Sequence, residues 1–201
     1  MLGSTNVPLT VNGSDIQLGA VVMFGGVALT TSSVDAGGAY IDATIPGSSL
    51  TTAGNVSVWV VNPDHGTSGT LTFTVDNPVP TVSNISPTSG LLNAGLSITV
   101  NGTNLLPTSV VYWNSTSLAT TYNSIDENLS AVVPGSLVTP AGTATITVVN
   151  PTPGGGASPS GASFTVDNPI PTLSSITPQY GSLNGPNLPI TLNGSNFEPG
   201  L

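Results

Sequence analysis

His65 is the only imidazole in the chain, and there is no cysteine. A Ser–His–Asp relay or a histidine-based metal site would have to run through that one ring. Thiol nucleophiles, disulfides and thiolate metal sites are excluded. The surrounding Asn62-Pro63-Asp64-His65-Gly66 is built of turn formers, which places the ring in an exposed loop. Of the nine acidic residues only Asp126 and Glu127 are adjacent, and they read as a solvated loop. Asp76-Asn77 and Asp167-Asn168 could lend oxygens to Ca²⁺, but each offers one carboxylate where such a site wants several. Asp-Asn-Pro reads first as a turn that ends a strand. No nucleophile, base and orienting group fall together, so the expected protein is not an enzyme and needs no cofactor.

The chemistry that remains is surface chemistry. Seven Asn-x-Ser/Thr sequons (Asn12, Asn55, Asn84, Asn101, Asn114, Asn128 and Asn193) are candidates for N-linked sugar, and the abundant Ser and Thr permit O-linked sugar. Three of them share the form Asn-Gly-Ser/Thr, which reads as a turn with glycine at positive φ. Trp59 alternates out of phase with Val56, Val58 and Val60, so it points away from the core those valines face. Together with Tyr112 it is a candidate for stacking on a sugar or packing on a neighbouring chain. Trp113 is in phase with Val111 and reads as core.

Charge narrows the partners. There is no Lys or Arg, and the formal net charge is −9. Counterion displacement from nucleic acid, docking on anionic lipid and a lysine phosphate loop all need cations that this chain lacks. No apolar run approaches the ~18 residues of a membrane span, so no membrane insertion is expected. The opening MLGSTNVP has no cationic-then-apolar pattern, so it is not a signal peptide; a leader removed, or a window of something longer, is the expectation.

Positioning these residues falls to a repeat. TVDNPVPTVSNISP at 74–87 returns as TVDNPIPTLSSITP at 165–178, 91 residues on. Asn12-Gly13-Ser14 returns as Asn101-Gly102-Thr103 and as Asn193-Gly194-Ser195. Within the roughly 90-residue period, apolar residues alternate with Ser and Thr (Leu96, Ile98, Val100; Ala144, Ile146, Val148), and Gly, Pro, Asn and Asp separate the runs. About seven short strands per period predict an all-β, antiparallel sandwich.

The stretch GLSITVNGTNLLPTSVVYWNSTSLATT, followed by SAVVPGSL, TATITVVNP and FTVDNP, resembles the IPT/TIG domain, as do the opening PTVSNISPTSG and the Gly-x-Asn-(Leu/Phe) turn at 102–105 and 194–197. The first unit departs from that turn with Asp15-Ile16. The resemblance implies an immunoglobulin-like sandwich, in a family whose members serve as cell-surface spacers, as accessory modules of carbohydrate enzymes and in DNA-binding transcription factors; the absence of cations removes the last role.

The expected organisation is a repeat over 1–79 lacking its first strand, a complete repeat over 80–169, and the first strands of a third over 170–201. Two readings follow: a segment of a longer tandem array, or a strand from residues 171–178 of one chain completing the first sandwich of the next. Against simple addition, residues 182–201 share the register of residues 1–20 and would compete for the same place. Either way the leading expectation is an extracellular or cell-surface structural protein, a stalk or fibril whose partner is itself, head to tail. The rival is a carbohydrate-binding or adhesive surface module attached to an enzyme elsewhere, with glycans as partners.

Overall fold

The structure is a computed structural model that describes residues 5–197. The first group of strands is β1 (Val7–Asn12), β2 (Val21–Phe24), β3 (Val27–Ala28), β4 (Thr30–Val34), β5 (Tyr40–Ile45), β6 (Gly54–Val61) and β7 (Leu71–Val75). They form two sheets, β1-β5-β4 and β3-β2-β6-β7. The period-two pattern does the work. Val22 and Phe24 on β2, Ile41, Ala43 and Ile45 on β5, and Val58 and Val60 on β6 turn inward and are buried together between the sheets.

The second group repeats this order and adds to it. It consists of β8 (Thr81–Ser86), β9 (Ser89–Leu91), β10 (Leu96–Thr103), β11 (Val110–Trp113), β12 (Thr116–Ser117), β13 (Ala119–Asn123), β14 (Asn128–Val133), β15 (Gly142–Asn150), β16 (Gly156–Ala157) and β17 (Ala162–Asp167). Its sheets run β13-β14-β10-β8 and β12-β11-β15-β17-β9, with β16 alongside β15. The core contains Ile98, Val100, Leu129, Ile146 and Phe164, and Trp113 lies in it with its ring centroid 4.9 Å from that of Phe164. This agrees with the inward phase of Trp113.

The opening segment of this second sandwich is not one strand. β8 pairs antiparallel with β10 in one sheet, and β9 pairs parallel with β17 in the other. Pro87, which has no N–H to give a ladder, separates them. One short segment therefore covers an edge of both sheets.

A third group, β18 (Thr172–Thr177) and β19 (Thr191–Ser195), forms a two-stranded antiparallel ladder. Its register and its bulge reproduce those of β8 on β10. The connection between the first and second groups is pinned to the second. The Asn77 amide N–H donates to the Pro153 carbonyl, its carbonyl accepts from the Gly155 amide, and its side chain donates to Pro151, each at 2.8 Å. Asn77 is thus a clamp on a neighbouring loop, more than the local turn its Asp-Asn-Pro context suggests.

Candidate functional site

The feature that distinguishes the first sandwich is an open seam. β1 pairs with β5 on one side, and no described residue pairs its other side. β7 likewise pairs β6 alone. These are the two edges that β8 and β9 cover in the second sandwich. The consequence is visible side chain by side chain. Ile98 and Val100 are fully buried, whereas their counterparts Leu9 and Val11 are only half-buried. Phe164 is 0% exposed, while Phe73 at the same place on β7 is half-buried, and Leu71 beside it is 64% exposed.

A groove follows this seam between the sheets. One cavity of about 340 Å³ runs past Val11, Gly13, Ile16, Val58 and Leu71, and another of about 270 Å³ past Leu9, Val11, Val58 and Phe73. Its walls mix these apolar side chains with Thr10, Asn12, Ser14, Ser68 and Thr72, and its rim is the unpaired backbone of β1, an edge of the kind that accepts a β-strand.

Gly13 lies at the end of that rim. The positions equivalent to it, Gly102 and Gly194, sit directly under an opening strand. A Cβ on Gly102 would lie 1.8 Å from the Thr81 carbonyl oxygen, and one on Gly194 1.9 Å from that of Thr172. A Cβ on Gly13 would meet only the Ile16 side chain, at 3.4 Å. None of the three glycines has a positive φ, so close backbone approach accounts for the residue type and a turn does not. This corrects the expected Asn-Gly turn. The left-handed residues come two positions later, at Asp15, Asn104 and Asn196 (φ 57°, 57° and 60°), and the Asn-Gly step is the end of a strand.

The asparagine before each glycine tells the same story. Asn101 Nδ2 donates to Asn84 Oδ1 at 2.8 Å, and Asn193 Nδ2 donates to Ser175 Oγ at 3.0 Å. Asn12 is exposed and has no such partner among the described residues. At the far end of the seam, buried Asn150 accepts from the Ser109 hydroxyl and donates to the Pro78 and Asn104 carbonyls, both at 2.8 Å. Its counterpart Asn62 donates to the Asp15 carbonyl at 2.9 Å and accepts from the Gln17 amide, with no carbonyl among the described residues standing where Pro78 stands.

The sequon residues are placed as follows. Asn12, Asn55, Asn84, Asn114 and Asn193 are exposed, and Asn101 and Asn128 are half-buried. Asn114 is committed to the backbone: its Oδ1 accepts from the Thr145 amide at 2.9 Å. Trp59 is half-buried on the outer face of β6, opposite Met23. Tyr112 is half-buried on β11, opposite Thr147 and Ser117. They lie on different sandwiches, and neither makes a ring contact, so no shared aromatic platform forms. His65 is exposed in a turn, its amide donating to the Asn62 carbonyl at 2.9 Å. Among the described residues no three His, Asp or Glu side chains converge as a metal site would need. No helix among them is long and apolar enough to cross a membrane.

Two carboxylates of the first sandwich are held below their ordinary value of 3.8. Asp42 accepts from the Thr10 hydroxyl at 2.6 Å and the Ser33 hydroxyl at 2.7 Å, tying β1 and β4 to β5. Those bonds favour its charged form against a weaker desolvation effect. Asp64 is lowered first by the Gly66 amide and then by the Gln17 side chain. A depressed folded-state pKa gives stability that is present above 3.8 and is lost as pH falls below it. The first sandwich is therefore expected to melt at progressively lower temperature as pH falls below 3.8, and Asp42→Asn to flatten that dependence. Calorimetric scans across this range check it; a first transition indifferent to pH refutes it.

Residues 80–166 match the IPT/TIG domain family. These residues are an IPT/TIG domain. The match coincides with the sandwich whose seam is closed, from the residue before β8 to the penultimate residue of β17. No curated protein matches the chain. Among solved structures, the SGBP-B of the Bacteroides ovatus mixed-linkage glucan utilization locus, in complex with a mixed-linkage heptasaccharide, is 20% identical with a TM-score of 0.34, covering 90% of this chain and 46% of its own. This chain thus spans less than half of that one. Murine CEACAM1b is 16% identical with a TM-score of 0.40, covering 81% of this chain and 92% of its own.

Proposed function

We propose that the protein is a non-enzymatic, extracellular structural protein: immunoglobulin-like IPT/TIG repeats over 1–79, 80–169 and 170–201 that join end to end into a stalk or thread. One observation carries this reading. β18 on β19 reproduces the register and the bulge of β8 on β10, so the same sandwich unit recurs along the chain. Composition supports it, since a chain with no Lys or Arg gives trypsin-like proteases nothing to cut. Its net charge of −9 keeps thin assemblies soluble. The exposed sequon asparagines, Asn12 and Asn193 of the Asn-Gly-Ser/Thr sequons among them, support N-linked sugar on such a surface.

Electron microscopy of the intact chain tests the proposal. The expected result is beaded threads, with about 40 Å per sandwich from strands of five to eight residues and their loops. Discrete single particles at all concentrations refute it. The rival reading, a carbohydrate-binding module, rests on Trp59, whose outer-face position supports a stacking surface.

A further inference from the structure

We propose that the joint between the first and second sandwiches is a fixed elbow: a glycine-containing loop of the second sandwich seats Asn77, so that Asp76 alone separates the two bodies and they keep one relative direction. This rests on the tandem-repeat reading above and gives it stiffness at a named joint. β7 runs to Val75, which stands opposite Gly54 in the first sandwich. From Asn77 onward the chain is held by the second. Asn77 makes its three bonds to Pro151, Pro153 and Gly155. The Pro78 carbonyl accepts from Asn150 at 2.8 Å, and the Val79 carbonyl from Asn104 at 2.9 Å. Pro80 is buried, and β8 starts at Thr81. Pro78 and Pro80 fix their own φ and hold the residues before them extended.

The seat fits the linker backbone closely. A Cβ on Gly154 would lie 2.5 Å from Asp76 Cβ and 2.7 Å from the Asn77 carbonyl oxygen. Gly154 and Gly155 have φ of 64° and 66°, the left-handed region that favours glycine, and the Gly155 amide there donates to the Asn77 carbonyl. The first sandwich shows the same loop without a seat. Ser68 accepts from the Val60 amide eight residues away, and the corresponding Ser158 accepts from Val148 ten residues away. The second loop is thus two residues longer. The shorter one closes on itself: the Asn62 amide donates to the Gly66 carbonyl at 2.8 Å, the His65 amide to the Asn62 carbonyl at 2.9 Å, and the Asp64 carboxylate accepts from the Gly66 amide at 3.0 Å. In the longer loop the Pro151 and Pro153 carbonyls and the Gly155 amide meet the linker instead.

Each of these bonds is modest in water, but swinging the first sandwich about Asn77 breaks its three together. A proline-rich linker is already a semi-rigid spacer, and docking it on the sandwich removes the freedom that remains. The linker half of the device returns along the chain. Asp76-Asn77-Pro78-Val79-Pro80 recurs as Asp167-Asn168-Pro169-Ile170-Pro171. There the Asn196 side chain donates to the Ile170 carbonyl at 3.0 Å, as Asn104 does to Val79.

The test uses the full chain, which has no cysteine of its own. Nitroxide labels on Thr72→Cys of β7 and Ser130→Cys of β14, both exposed, report the distance distribution across the joint by pulsed electron resonance. A pair within the second sandwich, Ser130→Cys with exposed Thr143→Cys, gives the width due to the labels alone. The two widths are expected to be equal. Gly154→Ala is expected to widen the first at least about twofold and leave the second unchanged. Asn77→Ala, which keeps both backbone bonds, is expected to widen it by less. Gly156→Ala puts a Cβ at φ 93° with nothing within 4 Å, and is expected to change neither. A broad distribution across the unaltered joint, one that stays narrow with Gly154→Ala, or one that Gly156→Ala broadens as much, overturns the elbow while leaving the threads seen by electron microscopy standing. A narrow distribution in a chain that forms no threads keeps the elbow and overturns end-to-end joining.

Discussion

Phe164→Ala is expected to lower the melting temperature of the IPT/TIG domain by at least about 12 °C. The side chain is 0% exposed, its ring packs on Trp113 at 4.9 Å, and β9 lies across it: a Cβ on Gly90 would come within 3.1 Å of the ring. Removing a buried aromatic ring costs about 3–5 kcal/mol in transfer and cavity energy. A domain of this size holds only about 5–15 kcal/mol, and each kcal/mol moves its midpoint by about 4–8 °C. The informative control is Phe73→Ala. Phe73 occupies the same position on β7 and touches Phe24 edge-on at 5.5 Å, but no strand among the described residues covers it. It is expected to cost about half as much in the unassembled chain, because less surface leaves water when it packs. Calorimetry that resolves the two sandwiches measures both; equal losses would contradict the assigned difference in cover.

Asn150→Ala is the second large effect, expected to cost about 3–4 kcal/mol although it removes little apolar surface. Asn150 is 1% exposed and joins the buried Ser109 hydroxyl to the carbonyls of half-buried Pro78 and exposed Asn104. Stranding buried polar partners costs about 1–3 kcal/mol for each group, less than additively when they share a site. Because Pro78 belongs to the connection from the first sandwich, the variant is also expected to speed hydrogen exchange at the Asn77 amide. Asn62→Ala, at the equivalent and more exposed position, is expected to cost about 1 kcal/mol. Denaturant titration and exchange together decide it. A neutral Asn150→Ala would mean that water replaces the amide, and the pinning role would fall.

How much of this was legible in the residues varies with the range of the interaction. Alternation along a strand is local, so the all-β class, the inward phase of Trp113 and the outward phase of Trp59 followed directly from the order of residues. Recurrence at a fixed spacing is also a property of the string. It exposed the repeat, with residues 74–87 returning as 165–178.

Other features depend on what lies opposite, and opposition is created only by folding. Asn-Gly-Ser/Thr read as a turn because glycine most often marks positive φ; what selects glycine here is a carbonyl from a strand some twenty residues away. The division of the opening segment between two sheets was hidden because β8 and β9 differ in their partners, β10 and β17, more than in their own sequence. Asn77 read as part of a turn before proline, and its weight, like that of Asn150, comes from carbonyls brought to it by the tertiary fold. The sequence by itself determined which residues face inward and how often the pattern returns, because those are set by neighbours along the chain. Only the tertiary structure decided which edges are covered, and so where the groove and its unpaired backbone lie, because an edge is defined by the strand that is or is not beside it.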